Sequence, residues 1–134
     1  MPKPRLRVLF VCVENSCRSQ LAEALARLLF ADRIEAHSAG SRPAGNVHPK
    51  VMLSMRSMGY DMARHRSKTL DEVPQQDWDW LITMGCGDAC PDVRARQRAD
   101  WQIPDPRQLP LEEFERVRDL IRTRIEDLAS SVLA

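Results

Sequence analysis

The chain has 134 residues and a formal net charge of +1, from 20 Lys plus Arg against 19 Asp plus Glu. That balance supplies no global field to gather nucleic acid or an anionic membrane, so any anion site has to be local. A single domain over 1–134 is long enough to bury about two-thirds of its unfolded surface without a metal or disulfide staple, which leaves the four cysteines for chemistry.

The basic start Met1-Pro2-Lys3-Pro4-Arg5 leads into the apolar run Leu6 to Val11, which reads as a buried strand. Glu14, Asn15 and Arg18 interrupt the apolar character and no small-residue cleavage site follows. The start therefore does not read as a signal peptide, and a cytoplasmic location is expected. Leu21, Leu25, Leu28 and Leu29 then recur at helical spacing. Ile34 to Ala39 is a second, short strand ending at Gly40, and Ser41 to Pro49 is a loop rich in Pro and Gly. A helix carrying Val51, Met55 and Met58 follows and stops at Gly59. After a polar stretch from Met62 to Asp77, Trp80 to Met84 forms a third strand, and a weak fourth is expected over Ala99 to Ile103. Phe114, Val117, Ile121, Ile125 and Leu128 mark a long amphipathic C-terminal helix, with Glu112, Glu113 and Glu115 in its early turns, where the dipole favours them. This alternation predicts an α/β fold, a parallel four-stranded sheet built from right-handed βαβ units with helices on both faces. The loops that follow the strands, with Cys12, Met84 and Asp105, should meet on one rim.

The first of those loops carries the strongest chemical signal. Cys12-Val13-Glu14-Asn15-Ser16-Cys17-Arg18-Ser19 places a cysteine and an arginine, with five residues between them, between a strand and a helix N-terminus. Unpaired backbone N–H groups and the positive end of the helix dipole converge there, and a guanidinium grips a tetrahedral oxyanion through two parallel hydrogen bonds. Residues 13 to 19, namely Val13, Glu14, Asn15, Ser16, Cys17, Arg18 and Ser19, are thus the candidate oxyanion cradle. A thiol at a helix N-terminus beside a cation is activated as a thiolate, so Cys12 is the candidate nucleophile, with the Ser19 hydroxyl able to donate to its sulfur.

A second loop, Met84-Gly85-Cys86-Gly87-Asp88-Ala89-Cys90-Pro91, holds the other two cysteines. Three readings stay open for them: small residues packed under the surface, a zinc site with Cys12 and Cys17, or a redox relay with Cys12. Zinc thiolate sites favour closely spaced pairs, and here the first pair wraps around an arginine that repels a metal. The relay needs a non-helical loop to bring Cys86 to Cys90, because helical residues four apart are too far separated for a disulfide; Gly85, Gly87 and Pro91 permit that. His37, His48 and His65 show no ligand spacing. Met52, Met55, Met58 and Met62 read as core filler, and Trp78, Trp80 and Trp101 are expected to pack against sheet ends, one of them as a wall of the site.

These residues resemble the low-molecular-weight protein tyrosine phosphatase superfamily, and within it the arsenate reductase branch. The strand-borne Cys12-x5-Arg18-Ser19 loop and the downstream Asp105-Pro106 match the superfamily. Gln20 stands where the phosphatases have proline and the reductases glutamine, and Thr83 to Pro91 resembles the reductases' redox segment. The resemblance implies a flavodoxin-like fold and arsenate reduction without a metal or organic cofactor. Cys12 would attack arsenate held by the loop and Arg18, while Asp105, in a partly desolvated site, handles the proton of the departing water. Cys86 would then attack Cys12 and Cys90 attack Cys86, leaving a disulfide for thioredoxin.

Some features depart from that pattern. Cys86 and Cys90 are closer in sequence than in thioredoxin-coupled reductases, which keeps a low-molecular-weight thiol open as the resolving partner. Glu14 occupies a loop position that is often small, where its carboxylate weakens oxyanion affinity unless it points outward. Some of these reductases bind potassium beside the loop; Asn15, Glu23 and Ser38 resemble its ligands, but Lys68 stands in place of the expected aspartate, and its ammonium could take the cation's position. The rival readings are a phosphotyrosine hydrolase using Cys12, Arg18 and Asp105, and an anion sensor without turnover. None calls for nucleic acid or membrane.

Overall fold

Val8 and Phe10 face one way from the first strand and Leu9 and Val11 the other, and all four are buried, so this strand lies inside a sheet covered on both faces. The computed structural model describes residues 5–84 and 93–133. The first strand, β1 (Leu6–Cys12), pairs in parallel with β2 (Ile34–Gly40) on one side and β3 (Trp78–Thr83) on the other. β4 (Ala95–Asp100) runs parallel to β3, giving the order β2-β1-β3-β4. The chain moves outward from β1 to β2 and then returns past β1 to β3. The carboxyl end of β1 is therefore the topological switch point, where loops part and leave a crevice.

Three helices, α1 (Arg18–Phe30), α2 (Pro49–Arg56) and α3 (Leu111–Leu133), pack on one face. Leu21 and Leu25 of α1 meet the α3 stripe of Phe114, Val117, Ile121, Ile125 and Leu128 over Val8, Phe10 and Ile82. The opposite core of Leu9, Val11, Ala39 and Leu81 lies under Val73, Trp78 and Leu70, the last on a short 3-10 turn (Leu70–Glu72). Among the described residues the α-helices thus all cover one face, and the other is covered by this 3-10 turn and the residues around it, where the sequence predicts helices on both. No described helix is long and apolar enough to cross a membrane.

The fourth strand is a correction. It spans Ala95–Asp100 rather than 99 to 103, and its sequence Ala-Arg-Gln-Arg-Ala-Asp has no apolar face to read. As an edge strand it needs none, and its charges discourage further pairing. Trp101 and Ile103, which suggested the later register, are core anchors instead; the Trp101 ring lies 5.8 Å from that of Phe10, so it does not wall the site. The methionines divide, with Met55 and Met62 buried and Met52 exposed. α2 ends at Arg56, ahead of Gly59, whose φ of 83° turns the chain away. Cys86 and Cys90 lie outside the described residues.

Candidate active site

Cys12 closes β1 and Arg18 opens α1, so the residues between them turn the chain at the end of the sheet. Neighbouring segments tie the carbonyls of this turn outward. Val13 O accepts from Arg42 N at 2.8 Å, and Glu14 O from Ala44 N at 2.9 Å and Ser67 Oγ at 2.8 Å. Asn15 O accepts from Gln20 Nε2 at 3.2 Å, and Ser16 O from His48 N at 3.1 Å. In a planar trans peptide the N–H points opposite to the C=O. The amides of Glu14, Asn15, Ser16 and Cys17 are therefore turned to the other, concave side, beside the positive end of α1. Asn15 takes a φ of 49°, a left-handed conformation that asparagine tolerates. Gly40, at the end of β2, backs directly onto the turn: a Cβ there would meet Val13 O at 2.5 Å and Asn15 N at 2.8 Å.

Cys12 is buried, and its Sγ lies 2.8 Å from Ser19 Oγ. Asn15 Nδ2 donates to the same Oγ at 2.8 Å, so the hydroxyl hydrogen is free to point at the sulfur. Cys17 is also buried, and burial, with Asp105 and Cys12 nearby, pushes its thiol up to about 12. It stays protonated, which leaves Cys12 as the candidate nucleophile of the pair.

Arg18 Nη1 donates to Met84 O at 2.5 Å and to Ile103 O at 3.0 Å, which anchors the guanidinium between the end of β3 and the segment after β4. Asp105 reaches the same cavity, of about 210 Å³, lined by Cys12, Val13, Glu14, Ser16, Cys17, Arg18, Asp105 and Arg107. Larger clefts run along α2 and beside Lys68, but neither contains the strand-end cysteine. The Asp105 side chain is 36% exposed, more open than the desolvated position expected from sequence, and Arg107 holds it: Nη2 donates to Oδ2 at 2.9 Å and the Arg107 amide to Oδ1 at 3.1 Å. Arg107 also pairs with Glu14, whose carboxylate is thereby neutralised. Lys50 Nζ donates to Arg107 O at 3.1 Å and Leu109 O at 2.5 Å, fixing this loop against α2.

Behind the cradle lies a buried polar layer. Gln20 Nε2 also donates to Asn15 Oδ1 at 3.0 Å and Arg66 O at 2.8 Å, so its Oε1 faces His65 Nδ1 at 3.0 Å. This arrangement assigns the ring proton to Nδ1 and leaves Nε2 to accept from Tyr60 O–H at 2.6 Å. Burial holds His65 below its ordinary 6.5; Glu23 at 3.5 Å favours the charged ring, but Arg27 and Lys68 add to the opposing effect. Burial likewise lowers His37, against the pull of Glu35. Each ring takes up its proton more readily once unfolded, so the stability it contributes is complete above 6.5 and is lost as the pH falls from 6.5 through the lower folded value. The melting temperature should therefore fall between about pH 7.5 and pH 5.5, above the carboxylate range, and His65→Gln should flatten that slope. A flat wild-type profile would contradict the neutral, buried ring.

Lys68 settles the cation question raised by the sequence. Its Nζ lies 3.4 Å from Glu23 Oε1, 3.3 Å from Ser38 Oγ and 3.4 Å from Arg66 O, while its amide donates to Asn15 Oδ1 at 2.9 Å. Glu23 is buried and further paired with Arg27 at 3.1 Å. The oxygens that would hold a potassium ion already surround an ammonium, and the residues present do not fit a bound potassium. Potassium and sodium chloride at equal ionic strength should give the same melting temperature, because only an ion that binds the native state raises stability by mass action. A rise specific to potassium would overturn this assignment.

The structure thus brings Cys12, Arg18 and Asp105 to one cavity, with residues 13 to 19 forming or backing its floor. Sequence reasoning missed Arg107, Lys50, the tight packing at Gly40 and the buried role of His65. Only Arg107 left a trace, two positions after the candidate acid.

The chain matches the family model for low molecular weight phosphotyrosine protein phosphatase over residues 7–134. It is 36% identical over 129 residues to the glutaredoxin arsenate reductase of Synechocystis sp., covering 94% of this chain and 98% of that protein. Among solved structures, an arsenate reductase in the phosphate binding state superposes with a TM-score of 0.84 at 36% identity, covering 94% of this chain and 98% of that one. The Corynebacterium glutamicum thioredoxin-dependent arsenate reductase superposes with a TM-score of 0.78 at 33% identity, covering 99% of this chain and 64% of that one. With that similarity running through the cradle, the candidate acid and the sheet that carries both, this enzyme belongs to the low molecular weight phosphotyrosine protein phosphatase family, alongside its arsenate reductases.

Proposed function

We propose that this enzyme, acting as one domain over 1–134 in the cytoplasm, reduces arsenate to arsenite through an adduct on Cys12. The observation that carries the reading is the cradle itself: outward carbonyls, inward amides and a buried sulfur oriented by Ser19, in a cavity of about 210 Å³. Cys12 Sγ attacks arsenic(V) while an arsenate oxygen leaves as water, with Asp105 supplying the proton; Arg18 and the amides of residues 14 to 17 hold the charge on the remaining oxygens. Cys86 then attacks the Cys12 sulfur. The sulfur–arsenic bond breaks, its electron pair stays on arsenic, and arsenite leaves as a Cys12 to Cys86 disulfide forms. Cys90 attacks Cys86, freeing Cys12, and the resulting Cys86 to Cys90 disulfide is reduced by thioredoxin. An external low-molecular-weight thiol in place of Cys86 gives the same arsenic chemistry, and the relatives' own names include both glutaredoxin and thioredoxin.

The same Cys12, Arg18 and Asp105 are the parts that phosphotyrosine hydrolysis needs, and the family model favours that as the second reading. Assaying arsenite formation with thioredoxin or glutathione beside hydrolysis of an aryl phosphate distinguishes them. Repeated arsenate turnover with slow hydrolysis is the expected result; rapid hydrolysis without arsenite formation would make the protein a phosphatase.

A further inference from the structure

A single guanidinium crosses the mouth of the cavity. Arg107 Nη1 donates to Glu14 Oε2, while its Nε and Nη2 donate to Asp105 Oδ2 at 3.0 and 2.9 Å. Glu14 and Arg107 are 93 positions apart, so this contact joins the lip of the first loop to the lip of the loop after β4. The backbone of Arg107 is held on both sides, its amide by Asp105 Oδ1 at 3.1 Å and its carbonyl by Lys50 Nζ at 3.1 Å, which aims the side chain across the opening.

The space behind the bridge is small. At about 210 Å³ it falls below the roughly 300 to 1,000 Å³ of pockets that enclose drug-sized ligands. A bare tetrahedral oxyanion fits within it, whereas an aryl ester has to carry its ring out through the lip that Glu14 and Arg107 span. Charge works in the same direction. Two carboxylates at the mouth would repel a dianion, and the guanidinium between them offsets one of the two charges without leaving a free cation to draw in larger anions. The Arg107 and Glu14 side chains are 39% and 41% exposed, so their pairing adds little to stability and acts on what enters.

We propose that the Glu14–Arg107 bridge is a specificity determinant that admits bare tetrahedral oxyanions to Cys12 and holds out aryl phosphate esters. The proposal rests on the oxyanion reading of the cavity and names the substrate class that the cavity selects.

The test measures protection of Cys12 from iodoacetamide, read by peptide mass, with inorganic phosphate and with phenylphosphonate as probes. The quantity of interest is the ratio of their half-protecting concentrations. Glu14→Gln removes the charge partner and leaves the Arg107 to Asp105 pairing in place; Glu14→Asp keeps the charge but falls one methylene short of the bridge. Both variants should lower the phenylphosphonate to phosphate ratio, by up to about fivefold, the most that an exposed ion pair supports. An unchanged ratio in both variants, with phosphate still protecting, would overturn the bridge alone. A fall in Glu14→Gln only would overturn it in favour of simple charge repulsion. Failure of phosphate to protect wild-type Cys12 would remove the oxyanion reading and the bridge with it.

Discussion

Arg18→Lys should cut arsenate turnover by about 10² or more, the scale on which enzymes lose rate when one oxyanion donor is removed. Phosphate protection of Cys12 should disappear with it. The guanidinium does two jobs at once here. Nη1 serves Met84 O at 2.5 Å and Ile103 O at 3.0 Å, and the rest of the planar fork remains for an anion in the cavity it lines. Lysine brings three donors on one point charge, and that point cannot sit on two backbone carbonyls and also grip two oxygens of a tetrahedral ion. If the ammonium stays with the carbonyls the anion loses its clamp, and if it moves to the anion two partly buried carbonyls lose their donor, at about 1 to 3 kcal/mol. The measurement is the rate of Cys12 alkylation with and without phosphate, beside the melting temperature. Near-normal protection in a folded Arg18→Lys protein would take Arg18 out of the site.

What the sequence revealed and what it concealed follow from how far apart the partners lie. Cys12, Ser19 and Arg18 sit on one continuous strand, turn and helix, so their spacing alone predicts the cradle. The α3 stripe from Phe114 to Leu128 was likewise legible, because its apolar period is local. The polar strand Ala95–Asp100 was misplaced because an exposed edge strand carries no apolar alternation, while the nearby core anchors Trp101 and Ile103 imitate one. Lys50 and Gly40 matter only through contacts made across the fold, with the Asp105 loop and with Val13 O, and Arg107 adds to its local pairing with Asp105 a distant one with Glu14. Nothing in their immediate neighbours signals those distant contacts.

His65 shows how a residue with an uninformative local sequence becomes structural. Its ring joins Tyr60 to Gln20, Gln20 joins Asn15, and Asn15 joins Ser19, which touches the Cys12 sulfur. Each link removes one alternative hydrogen-bonding state from the next, so among the described residues the Ser19 hydrogen is left with the nucleophile as its acceptor. Gln20, which distinguishes the reductase pattern from the proline of the phosphatases in the sequence reading, is the member that reaches both the cradle backbone and this buried layer. Proline has no side-chain amide with which to make those bonds.

Replacing the other two cysteines one at a time should halt arsenate reduction at two different, isolable points. Cys86 and Cys90 lie between β3 and β4, outside the described residues, but the start of their segment is placed: Met84 N donates to Val11 O at 3.1 Å, next in sequence to Cys12. Cys86 follows only two residues later in the sequence. That tether favours attack on the Cys12 adduct from within the chain. Cys86→Ser should stop the reaction at that adduct with thioredoxin as reductant, a loss of essentially all turnover. Cys90→Ser should allow one arsenite to leave and trap a Cys12 to Cys86 disulfide, visible by peptide mass mapping, because the thiol that would attack Cys86 is gone. Aryl phosphate hydrolysis, if the wild type has any, needs neither residue and should persist in both variants. With an external thiol as the true partner, both variants would instead keep reducing arsenate with that thiol. Wild-type enzyme that turns over with thioredoxin while Cys86 and Cys90 stay reduced throughout would disprove the relay and leave Cys12 as the only cysteine the reaction requires.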